Sequence, residues 1–126
     1  MTRLIDLSHP LEDGMAAYPG LPADAGWGAD AYWTDGPFLT LGAVERLVEG
    51  SARLVGVDFA NVDDIRDLAR PAHTGPLGAG IPIVENLRGL DPLPLEGFTL
   101  PGPPLAIRRG ATVPVRAYAE IPGEGP

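Results

Sequence analysis

Glycine and proline limit what this chain can fold into. Seventeen Gly and fifteen Pro among 126 residues make up about a quarter of the sequence, close to the range in which low complexity sets in. They form no tracts. They fall between short apolar segments, and because Pro cannot donate to a ladder and Gly weakens helix and strand interiors, the elements between them have to be brief. With 44% hydrophobic and 21% charged residues, the expectation is a globular, loop-rich fold of short elements.

The strongest helical pattern follows Thr40. Leu41, Val44, Leu47 and Val48 share one face of a helix, Thr40 suits its N-cap and Gly50 its stop. Strands are expected at residues 3–7 (RLIDL), 54–59 (LVGVDF) and 81–84, with a brief one at 98–100. Residues 113–120 alternate apolar with polar, which reads as a half-solvated strand with Pro114 at an edge position. A helix followed directly by an apolar strand is an α/β arrangement. The acidic run 61–70 (NVDDIRDLAR) reads as a loop or single helical turn with a solvated face, and residues 23–37, with Trp27, Tyr32 and Trp33, read as irregular. No repeat or linker divides the chain, and its length suits one domain, 1–126, with one modest core.

Composition removes several functions. With no cysteine there are no disulfides, thiolate metal sites or cysteine nucleophiles. All nine basic residues are Arg, so lysine Schiff bases and a Walker A lysine are excluded. A net charge of -8 argues against nucleic acid, whose phosphates require a cationic face. No apolar run approaches the length of a membrane span, and no apolar leader precedes Asp6, Ser8 and His9, so a cytoplasmic location is expected.

The candidate chemistry centres on two histidines. His9 lies beside Asp6 and Ser8, but three residues within four positions cannot converge as a triad, so a strand-ending turn is the reading there. His73 lies in the stretch PAHTGPLGAGIPIVENL (71–87) and precedes Glu85 by twelve residues. An imidazole and a carboxylate are ordinary ligands for zinc or manganese. That spacing is too long for one helix face, although the Gly78-Ala79-Gly80 hinge would let the chain return. On the residues alone the pair is either two metal ligands or a loop histidine and the polar end of a strand. Asp58, Asp63 and Asp64 are carboxylates from which a third ligand could come.

Two segments resemble the cyclase family of metal-dependent hydrolases, the group that contains bacterial kynurenine formamidase and isatin hydrolase. IDLSHPLEDGMAAYPG (5–20) is similar to the family's opening strand and turn, within residues 1–22. WGADAYWTDGPFLT, LVGVDFANVDD, PAHTGPLGAGIPIVENL and PVRAYAEI, within residues 27–121, match in order and spacing the family's C-terminal half. The resemblance implies an α/β fold with a mixed β-sheet and few helices (swivelling β/β/α, cyclase-like), internally shortened. It implies that His73 and Glu85 hold a divalent metal, zinc or manganese, and that Tyr18 lines a substrate pocket. The family's His-x-Gly-Thr-His-x-Asp-x-Pro-x-His run, which supplies the other ligands and the acid/base histidine, has no counterpart here.

The resemblance therefore implies a metal-dependent hydrolase of an amide such as N-formylkynurenine, arylformamidase-like and degenerate. The alternative is a non-catalytic cyclase-like binding protein or an internally deleted pseudoenzyme. A shortened fold of this family would expose strand faces that a second copy or a partner subunit would cover.

Overall fold

The computed structural model describes residues 1–10, 36–110 and 112–123. Tyr18, Trp27, Tyr32, Trp33 and the turn expected after Pro10 lie outside the described residues. The chain divides into two compact units, one of Met1–His9 with Leu87–Pro126 and one of Pro10–Asn86. The described elements, in chain order, are β1 (Arg3–Asp6), α1 (Leu41–Glu49), β2 (Val55–Gly56), α2 (Pro71–Gly78), β3 (Ile83–Val84) and β4 (Tyr118–Ile121).

The first unit is built on one antiparallel pair. β1 and β4 align Arg3 with Ile121 and Asp6 with Tyr118. Past the end of β1 the pairing continues through Leu7, whose N–H donates to the Ala117 carbonyl at 3.0 Å. The Ser8 hydroxyl then bridges both backbone groups of Ala117, accepting from its N–H at 2.8 Å and donating to its carbonyl at 3.1 Å. Leu7, Leu87, Ala117 and Ala119 are buried here, so the expected alternation of 113–120 is correct in phase. The regular strand starts later than expected. Val115 meets Pro104 only in an isolated bridge, because prolines at 104 and 114 remove donors that a ladder would need. The brief strand expected at 98–100 is reduced to a bridge between Thr99 and Glu120. Asp6 accepts from the Ser8 N–H and pairs with Arg116, which hold its carboxyl below the usual carboxylate range.

The second unit holds the larger core, made by Val44, Val55, Val57, Val62, Ala72 and Ile81, with Leu39, Leu47, Val48, Ala52, Phe59 and Ile83 packed against it. Burying each such Val or Ile contributes about 1.5–3 kcal/mol. α1 forms where the sequence places it: the Thr40 hydroxyl accepts from the Ala43 N–H and Gly50 closes the last turn. Val44 is the buried residue of its apolar face, while Leu41, in the first turn, stays 58% exposed. β2 and β3 are parallel, Val55 against Ile83 and Gly56 against Val84. Backbone bonds extend the pairing, from Val55 N–H to the Pro82 carbonyl at 2.9 Å and from Val57 N–H to the Val84 carbonyl at 3.0 Å.

Parallel neighbours need a crossover, and this one carries α2. The helix was not expected: PAHTGPLG contains two prolines and two glycines, a composition that disfavours helix in isolation. Its ends explain it. Pro71 takes a first-turn position, where a missing N–H costs nothing. At the other end, Gly80 N–H bonds to the Leu77 carbonyl and Ile81 N–H to the Pro76 carbonyl, the pattern of a Schellman cap. Gly80 has φ 76, a conformation that a side chain would strain. Packing does the rest: Ala72 and Pro76 are buried, and α2 lies so near α1 that a Cβ at Gly75 would fall 2.7 Å from Val44 Cγ1. Among the described residues, no helix is long and apolar enough to cross a membrane.

Candidate metal centre

The crossover between β2 and β3 brings four side chains together, and each is placed by a local device. The Asn61 side chain accepts from the Asp63 N–H, an Asx turn that follows β2. Between them Val62 is fully buried, its carbonyl accepting from Leu39 N–H at 2.8 Å and its N–H donating to Glu85 Oε1 at 2.8 Å. Glu85, directly after β3, is thereby aimed back at the loop that follows β2.

A series of turns then leads to α2. Asp64 accepts from the Arg66 N–H and pairs with its guanidinium through both oxygens. The Arg66 side chain first, then its N–H, hold the Asp64 carboxyl below its usual value. Asp67 accepts from the Ala69 N–H, and Arg70 N–H bonds back to the Asp67 carbonyl. Arg70 is left-handed (φ 48, ψ 56) at the entry to the helix, and this turn points Pro71 and its successors across Asp63.

Asp63 is the centre of the arrangement. Its side chain is 1% exposed. Oδ1 accepts from the Ala72 N–H at 2.6 Å, satisfying a donor of the first turn of α2. Oδ2 meets His73 Nδ1 at 2.5 Å and Arg70 Nε at 3.4 Å. On the other side of the imidazole, His73 Nε2 lies 3.5 Å from Glu85 Oε1. The Nη2 of Arg70 sits 3.1 Å from His73 Nδ1 and 3.3 Å from Nε2. Near-equal distances to both nitrogens put that group over the ring face, a stacked guanidinium in place of an in-plane hydrogen bond.

His73 is thus a helix residue, not a loop residue, and the twelve-residue gap to Glu85 is closed by the crossover. Of the carboxylates that could have added a ligand, Asp63 meets the ring at Nδ1, the nitrogen facing away from Glu85, and Asp64 is bound to Arg66. Reading 61–70 as a solvated face therefore fails at Asp63. The run Asn-Val-Asp-Asp held a signal in hindsight: Asn61 begins an Asx turn, and that turn folds Asp63 inward.

The fit to a divalent metal can be judged from the donors. Two ligands of a tetrahedral zinc at ordinary bond lengths lie about 3.4 Å apart, and Nε2 and Oε1 are 3.5 Å apart. Their side chains are 19% and 23% exposed, so an ion could reach them from solvent. A dication there requires Arg70, whose side chain is 49% exposed, to swing off the ring. Among the described residues, no group of three His, Asp or Glu side chains converges as a metal cage. What the donors offer is one imidazole nitrogen and one carboxylate oxygen at the separation of two ligands.

No protein-family model matches the chain, and no curated protein matches it. Solved structures do. Isatin hydrolase A from Ralstonia solanacearum aligns at 31% identity and a TM-score of 0.63, over 75% of this chain and 40% of that one. A potential metal-dependent hydrolase with cyclase activity aligns at 26% identity and a TM-score of 0.59, over 68% of this chain and 42% of that one. These likenesses support the cyclase-like family. The mixed α/β build with few helices and small sheets agrees with it. The aligned part of the chain covers about two fifths of the length of either neighbour.

Proposed function

We propose that this chain is a degenerate cyclase-like metal-dependent hydrolase, with His73 and Glu85 as two ligands of a zinc or manganese ion. The observation that carries the reading is the 3.5 Å approach of His73 Nε2 to Glu85 Oε1 across the crossover. A metal at that position would polarise an amide carbonyl and lower the pKa of a bound water. The substrate in view is a small aryl amide of the N-formylkynurenine kind, with Tyr18 at its pocket. The residues of this chain supply the rest: the Val62 N–H holds the Glu85 carboxylate in place, and the Asp63 carboxylate holds the ring. A catalytic zinc wants three protein ligands, and a general acid/base contributes about 10²–10⁴-fold. Turnover by this chain is accordingly weak.

The reading extends to organisation. Residues 1–22 stand for the N-terminal strand and turn of the family domain, and 27–121 for its C-terminal half, in one shortened swivelling β/β/α domain. Its place is the cytoplasm, without nucleic-acid or membrane partners, as a homo-oligomer or beside a partner subunit.

Calorimetric titration of zinc and of manganese into the purified chain tests the proposal. The expected result is one ion per chain, lost in Glu85→Gln and His73→Ala, with slow hydrolysis of N-formylkynurenine above the rate of the metal alone. Failure of both metals to bind would overturn it. The second reading, a non-catalytic binding protein, is favoured by the gathering of only two donors; metal binding without hydrolysis selects it.

A further inference from the structure

We infer that Asp63 is the positioning residue of this site: its carboxylate fixes the His73 imidazole in the tautomer whose bare Nε2 faces Glu85. The inference rests on the metal-site reading above for its purpose, but not for its geometry.

An ionised carboxylate has acceptors and no donors. Oδ2 lies 2.5 Å from Nδ1, so the proton of a neutral His73 ring belongs on Nδ1. The lone pair then falls on Nε2, on the side where Glu85 Oε1 stands 3.5 Å away. The reverse tautomer would set a lone pair against the Asp63 carboxylate. A carboxylate that accepts from the far nitrogen of a ligating histidine raises the basicity of the ligand and aims the ring. Asp63 can do this because it is itself immobile. Its side chain is 1% exposed, its other oxygen is held by the Ala72 N–H at 2.6 Å, and the Asn61 side chain fixes its backbone. The same carboxylate starts α2 and orients the third residue of that helix, so helix formation and ring orientation are one event.

The two roles separate in Asp63→Asn. The amide oxygen still accepts from the Ala72 N–H, while the amide NH₂ now donates to Nδ1 and drives the proton to Nε2. A merely structural aspartate would leave the tautomer unchanged. The ring nitrogens can be read directly by heteronuclear NMR of the full chain, since His9 and His73 are its two histidines. Under mildly basic conditions the wild-type His73 ring is expected to carry its proton on Nδ1, with a low-field, slowly exchanging signal. In Asp63→Asn that signal disappears and Nε2 becomes protonated. Zinc affinity, by titration of the metal alone, is expected to fall about 10–100-fold.

A wild-type ring protonated at Nε2 would overturn the inference without any variant, as would an unchanged tautomer in a folded Asp63→Asn. If the tautomer switches as expected while the wild-type chain binds neither zinc nor manganese, the role of Asp63 stands and the metal-site reading falls. If metal binds and the tautomer ignores Asp63, the metal-site reading stands and this inference falls.

Discussion

α1 and α2 are nearly the same length, nine and eight residues, and they hold their shape in opposite ways. α1 carries its own instructions: a Thr40 cap, an apolar face and a glycine stop. α2 has Pro76 in its interior and no side-chain cap from its own N-cap residue. What makes it a helix comes from elsewhere in the chain, namely the Asp63 carboxylate on the Ala72 N–H, the Gly80 turn and the surface of α1. The candidate chemistry rides on the second kind of helix. A segment without strong propensity can be set at the angle its surroundings demand, and here those surroundings include the carboxylate that orients His73.

The largest effect expected from breaking this comparison lies at the helix contact. A methyl group at Gly75 would meet Val44 Cγ1 at 2.7 Å, so Gly75→Ala forces α2 away from α1. Overpacking of this kind costs about 1–3 kcal/mol. Urea unfolding should show that loss, and NMR should show His73 displaced from Asp63. An unchanged midpoint would mean that α2 does not depend on α1 as the close approach implies. The matching change in α1 is smaller. Thr40→Ala removes a capping bond that is long, 3.4 Å, and exposed, so the cost is about 0.5 kcal/mol, the lower end for N-caps. It should shift the midpoint slightly and leave the His73 ring signals where they are. A moved ring would show that the two helices are coupled more tightly than their separate origins suggest.

The same contrast governs what was legible in the sequence. α1 could be read because period and caps are local, and the strand core could be read because Val55, Val57 and Ile81 are apolar wherever they end up. The phase of 113–120 was right for the same reason. α2 was hidden, since Pro76, Gly75 and Gly78 all point away from helix and the groups that override them lie in other segments. Strand lengths were overestimated where proline interrupts a ladder, as at Val115 and Pro104. In the site, His73 and Glu85 were visible as residue types, and the Gly78–Gly80 hinge as permission for them to meet. Asp63 was visible as one of three carboxylates from which a third ligand could come, but not as the one that meets His73 at Nδ1. It looks like its neighbour Asp64, yet an Asx turn buries one while Arg66 holds the other at the surface.

That neighbour provides the smallest and most selective test. The Arg66 side chain and N–H hold the Asp64 carboxyl below the usual carboxylate range, so the folded chain prefers Asp64 ionised. The stabilisation is present above the unfolded value and is lost as pH falls through the lowered folded one. The relevant window is therefore acidic, below the usual carboxylate range, and neutral solutions lie outside it. Because this pair is exposed to solvent, its effect is local and salt-sensitive. Asp64 closes the turn that leads into α2, accepting from the Asp67 N–H through its own carbonyl. At neutral pH, Asp64→Asn should lower hydrogen-exchange protection at His73 and Thr74 and leave Val44 and Leu47 in α1 unaffected. In strong acid the variant and the wild type should converge, because both then lack the charge. Equal loss in the two helices would contradict the separate origins argued for them, and a difference that persisted in acid would place the effect of Asp64 in turn geometry instead of charge.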